Sequence, residues 1–333
     1  MQKIDLHTHI LPEKIPKFMK QFGYGGFVEL IHHRPGCAKM MKDDGTFFRE
    51  IEKNCWCPET RIKEMNNISL HKQVLSTVPV MFNYWSKAKD NLEVAKFLND
   101  HLAEICQKYP QKFFGLGTLP LQDPELSIPE LHRLKKELKL HGIQIGSHIN
   151  GMNLSDKKLL PFWQEVSSLD IPIFVHPWEM MGGSSMTEYW LPWLVGMPAE
   201  SSRAICSLIF SGVFEKFPKI RFCFAHGGGS FPYTIGRIEQ GFLKRPDLCA
   251  RDNPHNPRKY LGHFYVDSLV HDEKNLRYLI DVIGDEFVAL GSDYPFPLGE
   301  EVAGELVENT KLLSANEKEW VLRKSAQKFL GVD

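Results

Sequence analysis

Apolar residues in this chain fall into eight short runs, most of them followed by a longer stretch with helical spacing. The runs end or lie at His9, Gln73–Val78, Phe113–Thr118, Ile143–Ile145, Ile171–His176, Ile220–His226, Phe264–Asp267 and Phe287–Ser292. Helical periodicity predicts Glu59–Asn67, Ala88–Tyr109, Pro124–Leu138, Ser155–Ser168, Ala199–Ser211, Ser230–Leu243 and Glu273–Ile283 between them, then Val302–Leu313 and Glu317–Leu330. Apolar runs of this kind mark strands covered on both faces. Eight of them alternating with helices predict an α/β fold, a (β/α)8 TIM barrel filling residues 1–333 as one domain. A doubly wound open sheet is the runner-up, but no glycine-rich dinucleotide loop follows the first strand.

The alternation is interrupted once. Residues 10–58 carry no strand–helix repeat, but they hold Gly23-Tyr24-Gly25-Gly26 and a turn at Asp43-Asp44-Gly45. Phe27–Leu30 and Thr46–Arg49 are expected to pair as a small hairpin. A long insertion directly behind the first strand predicts a lid or substrate-binding element.

Composition narrows the function. The formal net charge is -1 and no basic block is present, which removes electrostatic support for a nucleic-acid or membrane partner. Asp5, His7 and His9 interrupt any apolar leader, and no stretch approaches about 18 apolar residues. The chain therefore reads as a soluble cytoplasmic protein. Its seven cysteines are scattered, and Cys55-Trp56-Cys57 without a second pair is a poor metal motif.

Chemistry gathers where the predicted strands end. In a strand, His7 and His9 project from one face and converge on one point. His176 ends the fifth run, His226 the sixth, and Asp293 follows the eighth. In a closed barrel all five meet at the carboxyl rim, where active sites of this fold lie. Neutral imidazoles and a carboxylate suit a divalent metal, and a histidine suits proton transfer near neutral pH.

This pattern of His-x-His, two later histidines and an aspartate resembles the amidohydrolase superfamily. Phe22–Gly26, Leu75–Phe82, Trp190–Pro198, Phe224–Gly229 and Asp293–Gly299 resemble its zinc-dependent, non-oxidative decarboxylases that act on a small dicarboxylate semialdehyde. The resemblance implies one Zn2+ per subunit on His7, His9, His176 and Asp293, with His226 as the acid/base that activates the metal's water. It also implies that Arg49 binds a substrate carboxylate, and that Arg237 reaches the neighbouring subunit's site in a homodimer. Trp193 and Phe296 match aromatic pocket residues. Gly142–His148 holds no lysine to bridge two metals, which predicts a one-metal site, and His148 reads as a solvated loop residue. Other readings are an aromatic-acid decarboxylase of the resorcylate type, a hydrolase of the same superfamily, or a catalytically silent binding protein.

Overall fold

The computed structural model describes residues 2–332. Its thirteen strands, in chain order, are β1 (Ile4–Ile10), β2 (Val28–Arg34), β3 (Cys37–Lys42), β4 (Phe47–Glu52), β5 (Lys72–Thr77), β6 (Phe113–Gly117), β7 (Gly142–Gly146), β8 (His148–Ile149), β9 (Met152–Asn153), β10 (Ile173–His176), β11 (Phe222–Phe224), β12 (Tyr265–Asp267) and β13 (Val288–Ala289). Eight of them form one sheet in the order β1-β5-β6-β7-β10-β11-β12-β13, with parallel pairing at every step. The ends meet. The Leu6 amide donates to Leu290 O at 2.8 Å, and the Asp293 amide to His7 O at 2.9 Å. Thr8 also bridges Tyr294 in parallel. The expected (β/α)8 barrel is the observed fold, and closure places the first and last strands side by side.

Alternation along the strands separates two apolar layers. Ile143, Ile145, Ile173, Val175, Phe222 and Phe224 join the large core shared with the helices. Val74, Leu116, Phe174, Cys223 and Ala289 form a second cluster with Phe329 and Leu330. Between Asp5 and Thr8 the register of β1 against β5 slips by one residue, a bulge beside the two histidines.

The insertion departs from expectation. Val28–Arg34 and Phe47–Glu52 do not pair with each other: β3 lies between them, making a three-stranded antiparallel sheet. The Asp43-Asp44-Gly45 turn joins β3 to β4, while Gly36, at φ +76°, turns β2 into β3. This sheet buries Phe27, Val28, Ala38, Met40 and Ile51 against Val80, Met81, Val94 and Leu98, so the insertion has its own core on the barrel.

Several boundaries also move. The sixth strand stops at Phe224 because His226 (φ 57°) and the three glycines after it adopt positive φ. The eighth is only Val288–Ala289, preceded by a 3-10 turn at Asp285–Phe287. The helix expected over 302–313 is Glu305–Asn309, started late by Gly304 at φ +86°. The last helix begins earlier, at Ala315, behind a Ser314–Glu317 capping box. No helix among the described residues is long and apolar enough to cross a membrane.

Candidate metal centre

Each residue of the site is placed by the end of a barrel strand. His7 and His9 lie on β1, His176 is the last residue of β10, and Asp293 follows β13 at φ 56°. One ligand atom from each of these four lies within 4.8 Å of the others. His9 Nε2 is 3.1 Å and His7 Nε2 3.4 Å from Asp293 Oδ1.

The imidazole orientations are fixed from behind. His7 Nδ1 faces Asp267 Oδ2 at 2.7 Å, His9 Nδ1 faces Thr77 O at 3.0 Å, and His176 Nδ1 faces Pro177 O at 2.9 Å. An oxygen acceptor at each Nδ1 requires a proton there, leaving Nε2 of the neutral ring as a bare lone pair. Yet His7 Nε2 and His9 Nε2 face each other at 3.1 Å, and His176 Nε2 is buried with no hydrogen-bond partner. Lone pairs pressed together without a proton between them repel; a cation among them resolves the contact. The donor set therefore fits a metal.

Electrostatics divide the three imidazoles. Burial keeps His9 below its ordinary pKa and His176 well below, which favours the neutral, ligating form. Burial also opposes charge on His7, but Asp293, Asp267 and Asp5 outweigh it and raise its pKa. Burial would push the Asp293 carboxyl up, whereas His7, His226 and His9 hold it well below the usual carboxylate range.

His226 stands next to this group. Its Nε2 is 3.6 Å from Asp293 Oδ2, while Nδ1 is buried and unpartnered. On the fourth barrel strand, where a lysine is absent, the buried Gln144 donates to Thr77 O at 2.9 Å and accepts from Ser76 Oγ at 2.6 Å. It thus supports the carbonyl that orients His9.

A narrow cleft opens over His9, His176 and Asp293. Arg49, on β4, lines it with its guanidinium 4.4 Å over the Phe296 ring. No carboxylate lies within ion-pair distance of Arg49 among the described residues. Trp193 and Phe296 line the same cleft, together with Trp190 from the same Trp190–Pro198 run and Trp178, which the sequence had not singled out. His226 opens instead onto a neighbouring recess, lined by Gly229, Tyr233, His271 and Asn275, that shares Trp193 and Met197 with the cleft. Arg237 is not brought to this chain's own cleft; it lies exposed on the helix Phe231–Lys244. His148 is tied to the backbone carbonyls of Asn150 and Glu179 and takes no part. Asp267 was also missed, although an acid ending the seventh strand obeys the same rule that picked out the others.

Comparison with known proteins bears on the family. A family model described as Amidohydrolase matches residues 4–332. A 2-amino-3-carboxymuconate-6-semialdehyde decarboxylase of Dictyostelium discoideum is 57% identical over 331 residues, covering 99% of this chain and 92% of the relative. One of the same name from Caenorhabditis elegans is 40% identical, covering 100% of this chain and 95% of the relative. Among solved structures, a dihydroxybenzoic acid decarboxylase of Polaromonas sp. JS666, with bound manganese and an inhibitor, superimposes with a TM-score of 0.77 at 22% identity. That alignment covers 99% of this chain and 97% of the other. Barrel topology, rim residues and a full-length match agree, and the chain belongs to the amidohydrolase family.

Proposed function

We propose that this chain is a zinc-dependent carboxy-lyase that decarboxylates 2-amino-3-carboxymuconate 6-semialdehyde, an intermediate of tryptophan degradation, to 2-aminomuconate 6-semialdehyde. The observation that carries the reading is the meeting of a four-donor metal group and an unpaired arginine in one cleft. A decarboxylase substrate brings at least one carboxylate, and Arg49 offers a planar, bidentate partner for it. Full-length relatives bearing that enzyme's name support the substrate.

His7, His9, His176 and Asp293 would hold the ion. Three imidazoles and one carboxylate leave a divalent cation net positive, so the bound metal supplies Lewis acidity and lowers the pKa of a coordinated water toward about 7. A nitrogen-rich set favours zinc over the harder ions. The residues do the rest. Arg49 orients the carboxylate, and the aromatic walls Trp193 and Phe296 hold the conjugated chain flat and exclude water. His226, beside Asp293 Oδ2, would take a proton from solvent at Nε2 and deliver it to the substrate carbon. When the carbon–carbon bond to the leaving carboxylate breaks, its electron pair stays on the substrate carbon. That carbon takes the proton and carbon dioxide departs.

The second substrate carboxylate calls for a second cation. Arg237 of a partner subunit would supply it, consistent with the exposed Leu194 and Tyr233 at the mouth of the recess beside the site. The protein is then a homodimer with shared sites.

The test is a spectroscopic assay of semialdehyde loss and carbon dioxide release, with and without a chelator, run in parallel on 2,6-dihydroxybenzoate. Chelator-sensitive turnover of the semialdehyde alone is expected. Faster release from the aromatic acid would favour a resorcylate-type decarboxylase.

A further inference from the structure

We infer that Asp267 is a positioning residue that locks the metal ligand His7 and the proton-transfer residue His226 to one carboxylate. The inference rests on the metal reading above. Asp267 is fully buried at the end of β12 and accepts four hydrogen bonds. Oδ2 takes His7 Nδ1 at 2.7 Å and the His226 amide at 2.9 Å; Oδ1 takes the Gly227 amide at 2.8 Å and the Leu269 amide at 3.1 Å. Two of these donors belong to the left-handed turn, His226 at φ 57° and Gly227 at φ 62°, that aims the His226 ring at Asp293. A non-glycine residue in that region is strained and needs such restraint.

The packing around this pair is built to keep it close. Gly291 passes beside both side chains: a Cβ there would stand 2.7 Å from Asp267 Cβ and 2.8 Å from His7 Cβ. Neither atom is the far end of a flexible chain, so any larger residue at 291 must push His7 and Asp267 apart.

The tautomer follows from the donors. A carboxylate can accept all four, whereas an asparagine amide has one acceptor and one donor end. Whichever way the amide of Asp267→Asn turns, its NH2 meets N–H groups. His7 can relieve this by moving its proton to Nε2, which aims it at His9 Nε2 and Asp293 Oδ1 and destroys a ligand.

Metal affinity is therefore measured by chelator competition on wild type, Asp267→Asn and Gly291→Ala, followed by kcat with the metal site filled. Expected is roughly 10- to 100-fold weaker zinc binding in Asp267→Asn, and a kcat still about 10-fold or more down when zinc is saturating. Gly291→Ala should show the same two losses. Wild-type zinc affinity in both variants would overturn the assignment, and full kcat in the loaded variants would overturn the link to His226. Should the variants not fold, the histidine nitrogens of 15N-labelled metal-free wild type decide. A Nδ1–H tautomer at His7 is expected, and Nε2–H refutes the inference. Wild type that takes up no metal at all would instead sink the metal reading itself.

Discussion

His226 Nε2 lies 3.6 Å from Oδ2 of Asp293, while the other oxygen of the same carboxylate faces His9 and His7 at 3.1 and 3.4 Å. One carboxylate thus divides its oxygens between the donor group and the residue proposed to move the proton. Anything that shifts Asp293 disturbs both functions, whereas trimming His226 touches only one.

His226→Ala should therefore keep stoichiometric zinc and lose roughly 10²–10⁴-fold in kcat. Metal analysis and steady-state kinetics on the same preparation check this. Loss of zinc in the variant would make His226 a ligand.

Arg49 has the cleft's substrate carboxylate to itself in the proposed reaction. Arg49→Ala should raise KM and lower kcat/KM by about 10- to 100-fold, the worth of a charge-assisted hydrogen bond of about 1.5–3 kcal/mol. Arg49→Lys should recover little, because an ammonium cannot make the bidentate contact. Zinc content should not change.

Arg237 acts across a two-fold interface if the dimer reading holds. Arg237→Ala and Arg49→Ala should each keep only about 1–10% of wild-type kcat/KM alone, assayed below KM. Mixed and re-equilibrated, they should regain about a quarter of wild-type activity, because half the dimers are mixed and each has one intact site. No recovery on mixing would place Arg237 outside the partner's site.

Gly229 lies three residues after His226 at φ +63°, and a Cβ there would overlap the carbonyl oxygen of Pro198. Gly229→Ala combines left-handed strain with a backbone clash. A loss of about 2–4 kcal/mol is expected, read as a lower Tm, together with reduced kcat as the His226 turn moves.

His101, half-buried on the helix Ala88–Lys108, is held down by desolvation to a pKa of about 4 against an ordinary 6.5. The unfolded chain then binds the extra proton first, so this residue's contribution is complete above about pH 6.5 and is lost as pH falls toward 4. Relative to His101→Gln, wild type should lose on the order of 2–3 kcal/mol across that window. Denaturant unfolding of the two proteins at pH 7 and pH 4.5 measures the difference.

The alternation of apolar runs and helices was enough to determine the barrel, because parallel strands covered on both faces must be apolar nearly throughout. The same periodicity marked His7, His9, His176 and Asp293, since titratable side chains at the ends of several such runs converge on one rim of a closed barrel. It did not reveal β3, whose Cys37–Lys42 lacks a clean alternation and is a strand only because it is paired on both sides. Nor did it reveal Asp267. What a carboxylate at a strand end does depends on which donors closure of the sheet brings to it. His7 is 260 residues away in the chain and 2.7 Å away in space. The tautomers of the three histidines were likewise undecided in the sequence, because two of their partners, Thr77 O and Pro177 O, are backbone carbonyls with no residue signature. Local pattern dictates which side chains reach the rim. Only the closed sheet decides which of their atoms are left without a proton, and that is what fits the group at the first strand to hold a metal.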